Sequence, residues 1–189
     1  MKIKYNAPTV LTFTLLCALI MLLSHTLFPN LNLKWFAVSG KSHFYAGSVK
    51  NWITIFTHVI GHRDWSHLIN NFMIILLIGP MLEENYGSKD LLVMMIITAF
   101  VTGILNAFLF PDGLLGASGI AFMMILLSSF TNFSRGEIPL TFILMLILYL
   151  GVQLLNSFTS NDNISYFAHI IGGLCGSFFG FLRPQKKGA

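Results

Sequence analysis

Six long apolar stretches without a single lysine, arginine, aspartate or glutamate constrain the fold of this chain more than any other feature. A helix needs about 20 mostly apolar residues to cross the hydrocarbon core of a bilayer. The stretches cover residues 9–28, 66–82, 91–110, 118–133, 138–158 and 166–182. They leave room for little more than loops in a chain of 189 residues. We therefore predict one all-α membrane domain over residues 1–189, a multi-pass bundle of six transmembrane helices.

The composition excludes a water-soluble globular domain. Hydrophobic residues make up 55% of the chain, charged residues 10%, and the mean hydropathy is +0.75, well outside the soluble range. The first stretch follows Lys2 and Lys4 as in a signal peptide, but it is long for one and lacks a small-residue cleavage site. We expect a retained first span. Cys17 and Cys175 lie in apolar stretches and are expected to be buried rather than paired or metal-bound.

Positive charges predict the orientation. Seven of the eleven basic residues lie at the termini and in the loops after the second and fourth stretches, while the other two short loops have none. The long first loop, residues 29–65, mixes aromatic and lysine residues, which is typical of a segment at the membrane interface. We predict both termini in the cytoplasm and expect a bacterial cytoplasmic membrane. The net charge of +4 indicates contact with anionic lipid and not with nucleic acid.

Four polar side chains inside the stretches carry the functional argument. With the N-terminus inside, the second, fourth and sixth spans all run inward from the outer face. Their first turns hold His67 and Asn71, Ser118, and His169, respectively. Polar groups at such depths are costly and are functional by default. We expect these side chains to converge near the outer third of the bilayer.

The fourth stretch is short. Residues 118–133 span only about 24 Å at 1.5 Å per residue, against a core of about 30 Å. If the inner end lies near Arg135, then Ser118 is recessed and residues 111–117 must dip into the membrane. Irregular backbone at that depth requires protein or a water-filled cavity around it, and a hydrolase would need that water.

Ser118 lies in the sequence Gly116-Ala117-Ser118-Gly119, where a loop meets a helix. Glycine permits close approach, and a helix start presents free N–H groups and a positive dipole end. A tetrahedral oxyanion formed at Ser118 would be stabilised there. His169 can act as general base and then as general acid. Because no span contains a carboxylate, a Ser-His dyad is the simpler prediction.

His67 and Asn71 are four residues apart and share one helix face. An imidazole and an amide beside a nucleophile suit an oxyanion hole, where the loss of one donor typically lowers the rate by about 10² to 10³.

Taken together, these motifs resemble the rhomboid intramembrane serine proteases. The matching segments are HRDWSH at residues 62–67 followed by Asn71, GASG at 116–119, and AHIIG at 168–172 with Gly176. The resemblance extends over nearly all of the chain after the first span, including Glu83, Gly87 and Ser88. Each motif is weak alone, but the ordered set is specific.

The resemblance implies a six-helix rhomboid core and an endopeptidase that cuts membrane proteins, usually those with a single span. It implies Ser118 as the nucleophile and His169 as the base, with His67 and Asn71 around the oxyanion. It also implies that Phe122 packs against the ring of His169. No metal or cofactor is expected.

Other residues receive structural interpretations. Gly116 and Gly119 support the serine loop, and Gly172 with Gly176 has the GxxxG spacing of close helix packing. The family often has Trp-Arg in the first loop, whereas here Ile53 follows Trp52, so the packing of that loop is expected to differ.

Several alternatives remain open at this stage. His58 and His62 have metal-ligand spacing, but without a third ligand they favour loop structure. Glu83 and Glu84 resemble the paired glutamates of another class of membrane protease, yet the basic residue required nearby is missing, so Glu83 is expected to accept structural hydrogen bonds. A catalytically inactive rhomboid-like protein that binds membrane proteins, or a small transporter, could share such a polar cluster.

Overall fold

The architecture is helical throughout the part of the chain that the structure, a computed structural model, describes: residues 4–130, 138–150 and 163–182. One antiparallel bridge joins Val38 to Leu114. The helices are α1 (Pro8–Thr26), α2 (Leu31–Trp35), α3 (Val49–Thr57), α4 (Trp65–Tyr86), α5 (Ser88–Leu109), α6 (Ser118–Ser128), α7 (Leu140–Met145), which continues as a π-helical turn (Leu146–Leu150), and α8 (Asn163–Leu182).

Three of the described helices, α1, α4 and α5, are long and apolar enough to cross a membrane, and α6 and residues 166–182 of α8 form shorter apolar helices. Their outer faces expose large hydrophobic side chains, such as Leu15 at 61%, Met73 at 61% and Leu77 at 80%. Such a surface is unfavourable in water and natural in lipid. Residues 131–133 and 151–158 of the predicted spans lie outside the described ranges, so the six-span count stays a prediction.

Helix α6 forms the centre of the bundle. Every residue from Ser118 to Leu127 is buried, which identifies a helix that is enclosed on all sides rather than amphipathic. Its neighbours are α4, α5 and α8. The helix begins at the predicted residue and runs for 11 residues, or about 16 Å.

Close backbone contact joins α6 to α8. A Cβ atom added to Gly172 would collide with the carbonyl group of Gly119, and one added to Gly176 would collide with that of Met123. Only glycine leaves room for two helices at this separation. The spacing of Gly172 and Gly176 thus serves helix packing, and it brings the first half of α8 against the start of α6.

The turn between α4 and α5 is tighter than predicted. We expected residues 83–90 to form a connection, but α4 continues to Tyr86 and α5 begins at Ser88, so that Gly87 alone, with φ 86°, makes the turn. Glu83 therefore lies in the last turn of α4, where its carboxylate accepts hydrogen bonds from the N–H groups of Thr9 (2.8 Å) and Val10 (3.0 Å). This confirms its predicted structural role, since it caps the start of α1.

The first loop contains two helices that its composition did not predict. Helix α3 begins at an N-cap, Ser48, whose side chain accepts a hydrogen bond from the N–H of Asn51. It packs on α5 where Gly103 leaves room for the backbone of Ile55. Trp52, which the family resemblance marked as a departure, donates to the carbonyl of Ala46 at 2.8 Å. These contacts hold α3 against the bundle and bring the segment that follows it beside α6.

Candidate active site

The loop that leads into α6 is hydrogen-bonded to the segment that follows α3. The N–H of Gly116 donates to the carbonyl oxygen of His58 at 3.0 Å, and the N–H of Ala117 donates to the ring atom Nε2 of His62 at 3.4 Å. Successive N–H groups on this loop therefore have fixed partners on another part of the chain. The next residue is Ser118, so these two bonds set where the helix begins.

Ser118 is the first residue of α6 and is only 8% exposed. The first turn of a helix carries N–H groups without intrahelical acceptors and the positive end of the dipole. Gly116 has φ +125°, a backbone conformation that favours glycine, and a Cβ atom there would lie 2.7 Å from Nε2 of His67. The imidazole of His67 thus lies directly against the backbone two residues before Ser118.

The ring of His169 lies against α6. The rings of Phe122 and His169 are stacked, with centroids 4.2 Å apart and planes 9° apart. Phe122 is one turn beyond Ser118, and His169 is three residues before Gly172, which touches Gly119. Ser118 and His169 therefore belong to the facing surfaces of two helices whose backbones are in contact. This stack is the contact that the family resemblance implies.

The start of α4 positions His67 and Asn71. Asp64 is the N-cap of this helix, and its Oδ1 accepts the N–H of His67 at 2.8 Å. That hydrogen bond, together with Arg63, lowers the pKa of the Asp64 carboxyl group. Asn71 lies one turn further along and is 5% exposed, and within the described part of the chain its Nδ2 has no hydrogen-bond partner. A buried donor without an acceptor costs about 1–3 kcal/mol.

His62 is a site residue whose role the sequence did not reveal. Its side chain is fully buried, and its ring packs edge-on against His67 with centroids 5.2 Å apart. Because Nε2 accepts the Ala117 N–H, the proton must lie on Nδ1, which is 3.2 Å from the carbonyl oxygen of Ile60. Burial and then the nearby His67 lower the pKa of His62 to about 4, which is consistent with this neutral tautomer. The only signal was its place in the HRDWSH segment.

His58 has a comparable structural environment. Its Nδ1 is 3.0 Å from the carbonyl oxygen of Ile55, and its Nε2 is 3.3 Å from the hydroxyl of Thr102. Burial lowers its pKa to about 4. The described residues contain no group of three histidine, cysteine or acidic side chains that could hold a metal ion. The ring nitrogens of His58 and His62, the two residues with metal-ligand spacing, thus lie within hydrogen-bond distance of other protein groups.

Two helices thus bring histidine rings to the first half of α6. His169 of α8 stacks on Phe122, and His67 of α4 lies against Gly116. Residues 49–186 match the family model for the rhomboid domain. The chain belongs to the rhomboid family. This confirms the resemblance seen in the motifs.

Two relatives of this rhomboid chain carry names that describe proteases. It is 33% identical over 140 residues, which is 72% of this chain and 69% of the relative, to a protein of Bacillus subtilis (strain 168) provisionally named rhomboid protease YdcA. It is 22% identical over 134 residues, 69% of either chain, to the rhomboid protease GlpG of Haemophilus influenzae. Together with the long apolar helices, the family supports an integral membrane protein and, at the family level, an intramembrane protease.

Proposed function

We propose that this rhomboid chain is an intramembrane serine endopeptidase that hydrolyses peptide bonds in or near transmembrane segments with a Ser118–His169 dyad. The observation that carries the proposal is the stack of Phe122 on His169, at 4.2 Å between centroids. It holds the imidazole against the helix that begins with Ser118. General bases act within hydrogen-bond reach of the nucleophile, and facing positions on two touching helices allow that reach.

In the proposed reaction, His169 takes the proton from the hydroxyl of Ser118 as the serine oxygen attacks the scissile carbonyl carbon. The resulting tetrahedral intermediate collapses when His169 gives that proton to the leaving amine, and the C–N bond breaks. A water molecule then attacks the acyl-enzyme by the same two proton transfers, releasing the new carboxyl terminus and restoring Ser118.

The oxyanion would be held at the start of α6. The N–H of Ser118 lies in the first helical turn, where donors lack intrahelical acceptors. His67 lies against Gly116, and Asn71 has a buried Nδ2 without a partner in the described chain. Donors that are fixed before the reaction stabilise developing charge without reorganisation, which supports these two side chains in that role.

A dyad requires another means of orienting the histidine, because a triad uses its carboxylate for that purpose. The flat face of Phe122 limits rotation of the His169 ring, and the ring of Tyr166 approaches it edge-on with centroids 6.4 Å apart. We propose that these aromatic contacts take over the orienting function.

The proposed topology is a single domain with six spans and both termini in the cytoplasm of a bacterium. The distribution of lysine and arginine supports this orientation. Ser118 would then lie below the outer surface, and the substrates would be membrane proteins with a single span whose helix is easily unwound.

The decisive test is cleavage of a single-span substrate by the purified protein in liposomes. We expect Ser118→Ala and His169→Ala each to abolish cleavage, and Asn71→Ala to lower kcat by about 10² to 10³. Ser128→Ala is the matched control, because it removes the same hydroxyl from the other end of α6, and it should keep full activity. Thermal unfolding of each variant establishes that it is folded.

Two outcomes would overturn the proposal. One is full activity of folded Ser118→Ala or His169→Ala. The other is a folded wild-type protein that binds a panel of single-span substrates and cleaves none of them, which would favour the catalytically inactive rhomboid-like alternative.

A further inference from the structure

An apolar groove of about 610 Å³ lies between α1 and α5. Its walls include Phe13 and Leu16 from α1 and Leu92 and Ile96 from α5, and Ile120 of α6 contributes to its lining. The volume lies within the range of about 300–1,000 Å³ that is typical of ligand sites.

The groove opens towards the lipid. Leu16, Leu92 and Ile96 line it and yet are 39%, 46% and 47% exposed. They lie on two helices that are long and apolar enough to cross the membrane. Whatever fills the groove therefore comes from the bilayer rather than from water.

The short length of the groove suits a hydrocarbon chain. The α1 wall runs from Pro8 to Leu16, about 12 Å at 1.5 Å per residue. A transmembrane helix crosses a core of about 30 Å and would contact the groove over less than half of its length. A flexible acyl chain can follow a groove of this length and fill it.

Both signs of charge occur at one end of the groove. The Glu83 carboxylate there accepts the N–H groups of Thr9 and Val10, and Lys89 follows Ser88, whose carbonyl oxygen accepts the hydroxyl of the groove residue Thr9. On α5, Lys89 precedes the groove residue Leu92 by three positions and lies about 60° from it around the helix axis. The neighbouring Asp90 is about 160° from Leu92 by the same geometry and therefore faces away. Lys89 is exposed, so its ammonium group is free to meet an anionic group at the groove mouth.

A second lysine comes from the segment before α1. The hydroxyl of Tyr5 shares a hydrogen bond of 3.0 Å with that of Thr12, and Thr12 lines the groove. The exposed Lys4 directly precedes Tyr5, so it lies near the same end as Lys89. Basic and aromatic residues at the end of an apolar surface are typical of the lipid head-group level.

We propose that this groove binds an acyl chain of an anionic phospholipid, with the phosphate near Lys89 and Lys4. The opposite end of the groove includes Val59 and Ile60, which lie between the two histidines that hold the loop before Ser118. A bound chain therefore fills space beside the segment that positions the serine, and it raises the stability of the folded protein by preferential binding.

The test measures lipid bound to the purified protein by native mass spectrometry, with phosphatidylglycerol and phosphatidylcholine of identical acyl chains titrated separately. We expect phosphatidylglycerol to bind more tightly. Lys89→Gln should weaken phosphatidylglycerol binding about fivefold, roughly the contribution of one basic residue near an anionic lipid, and leave phosphatidylcholine unchanged. Lys34→Gln, in α2, is the matched charge control and should change neither.

A second pair of variants tests the groove itself. Ile96→Trp fills it and should lower phosphatidylglycerol binding by about tenfold or more, since the added ring occupies the space of the chain. Ile97→Trp is the matched control, because Ile97 is similarly exposed at 41% on the same helix but does not line the groove. Should Ile96→Trp fail to fold, Leu16→Trp fills the groove from the opposite wall.

Equal binding of the two lipids by the wild-type protein would overturn the proposal, as would equal effects of Ile96→Trp and Ile97→Trp. Protein dimers that Ile96→Trp alone abolishes would assign the groove to a second copy of the chain instead. The measurement is independent of proteolysis, so it stands whether or not the protease assignment holds.

Discussion

His62 offers the sharpest test of how the serine loop is positioned. Its Nε2 accepts the N–H of Ala117, the residue before Ser118, at 3.4 Å. Substitution by leucine keeps a side chain of similar bulk but removes the acceptor. The Ala117 N–H would then be buried without a partner, and the loop would shift to find one.

The magnitude follows from that hydrogen bond. A buried donor left without an acceptor costs about 1–3 kcal/mol, and the length of 3.4 Å favours the lower half of that range. If the shifted loop stabilises the transition state less, by about 1–2 kcal/mol, kcat falls by about 5- to 30-fold, because each factor of ten corresponds to 1.36 kcal/mol. KM should change less, because His62 is fully buried and acts through the serine loop, so its loss should affect the transition state more than substrate binding.

The assay compares kcat and KM of His62→Leu and His62→Gln on a single-span substrate. The Gln side chain can place an acceptor near the position of Nε2, so it should recover kcat to within about threefold of wild type. The exposed His43 provides the control His43→Leu, which should be silent. A normal kcat in His62→Leu, or equal losses in the Leu and Gln variants, would refute the positioning role.

Three further predictions concern stability in detergent. Burial lowers the pKa of His58 and His62 from 6.5 to about 4. Between pH 6.5 and pH 4 the unfolded chain therefore binds more protons than the folded protein. The free energy of unfolding should fall as the pH drops through this range. The fall should reach at most about 1.4 kcal/mol per pH unit for each ring in denaturation experiments, and His62→Gln should remove one of the two contributions. Gly176→Ala places a methyl group against a backbone carbonyl of α6 and should cost about 1–3 kcal/mol in thermal unfolding. Gly47→Ala meets only the far end of the Tyr45 ring, which is 71% exposed and can move aside, so it should cost less, and the reverse order would contradict this packing. Glu83→Ala removes the acceptor for two N–H groups at the start of α1 and should cost about 1–2 kcal/mol, as for a lost N-cap, while a larger loss in Glu83→Gln than in Glu83→Ala would contradict the capping role.

Much of the helical framework could be predicted because it depends on local properties. The absence of charge over about 20 residues is visible in the sequence, and a segment of that kind has few alternatives to a helix in lipid. The start of α6 at Ser118 and the packing role of Gly172 and Gly176 also followed from short motifs. The helix start depends on neighbouring residues, and the spacing of the two glycines is visible in a short stretch of sequence, although the helix that they contact is not.

Other features depended on contacts that the linear sequence does not display. Glycine at position 87 allows α4 and α5 to meet in a one-residue turn, but a run of polar and charged residues there looked like a loop. Helix α3 is stabilised by its contact with Gly103 on α5, so its composition alone suggested an irregular interfacial segment.

The sequence by itself determined that this chain must bury its polar groups in a helical, lipid-facing bundle, and the motifs around Ser118 and His169 indicated its chemistry. Only the tertiary structure decided that α6 is enclosed on all sides, that His62 accepts the Ala117 N–H, and that Asn71 keeps a buried donor without a partner among the described residues. The physical reason is that hydrophobicity acts on each segment separately, whereas a hydrogen bond depends on atoms from distant segments meeting within about 3 Å.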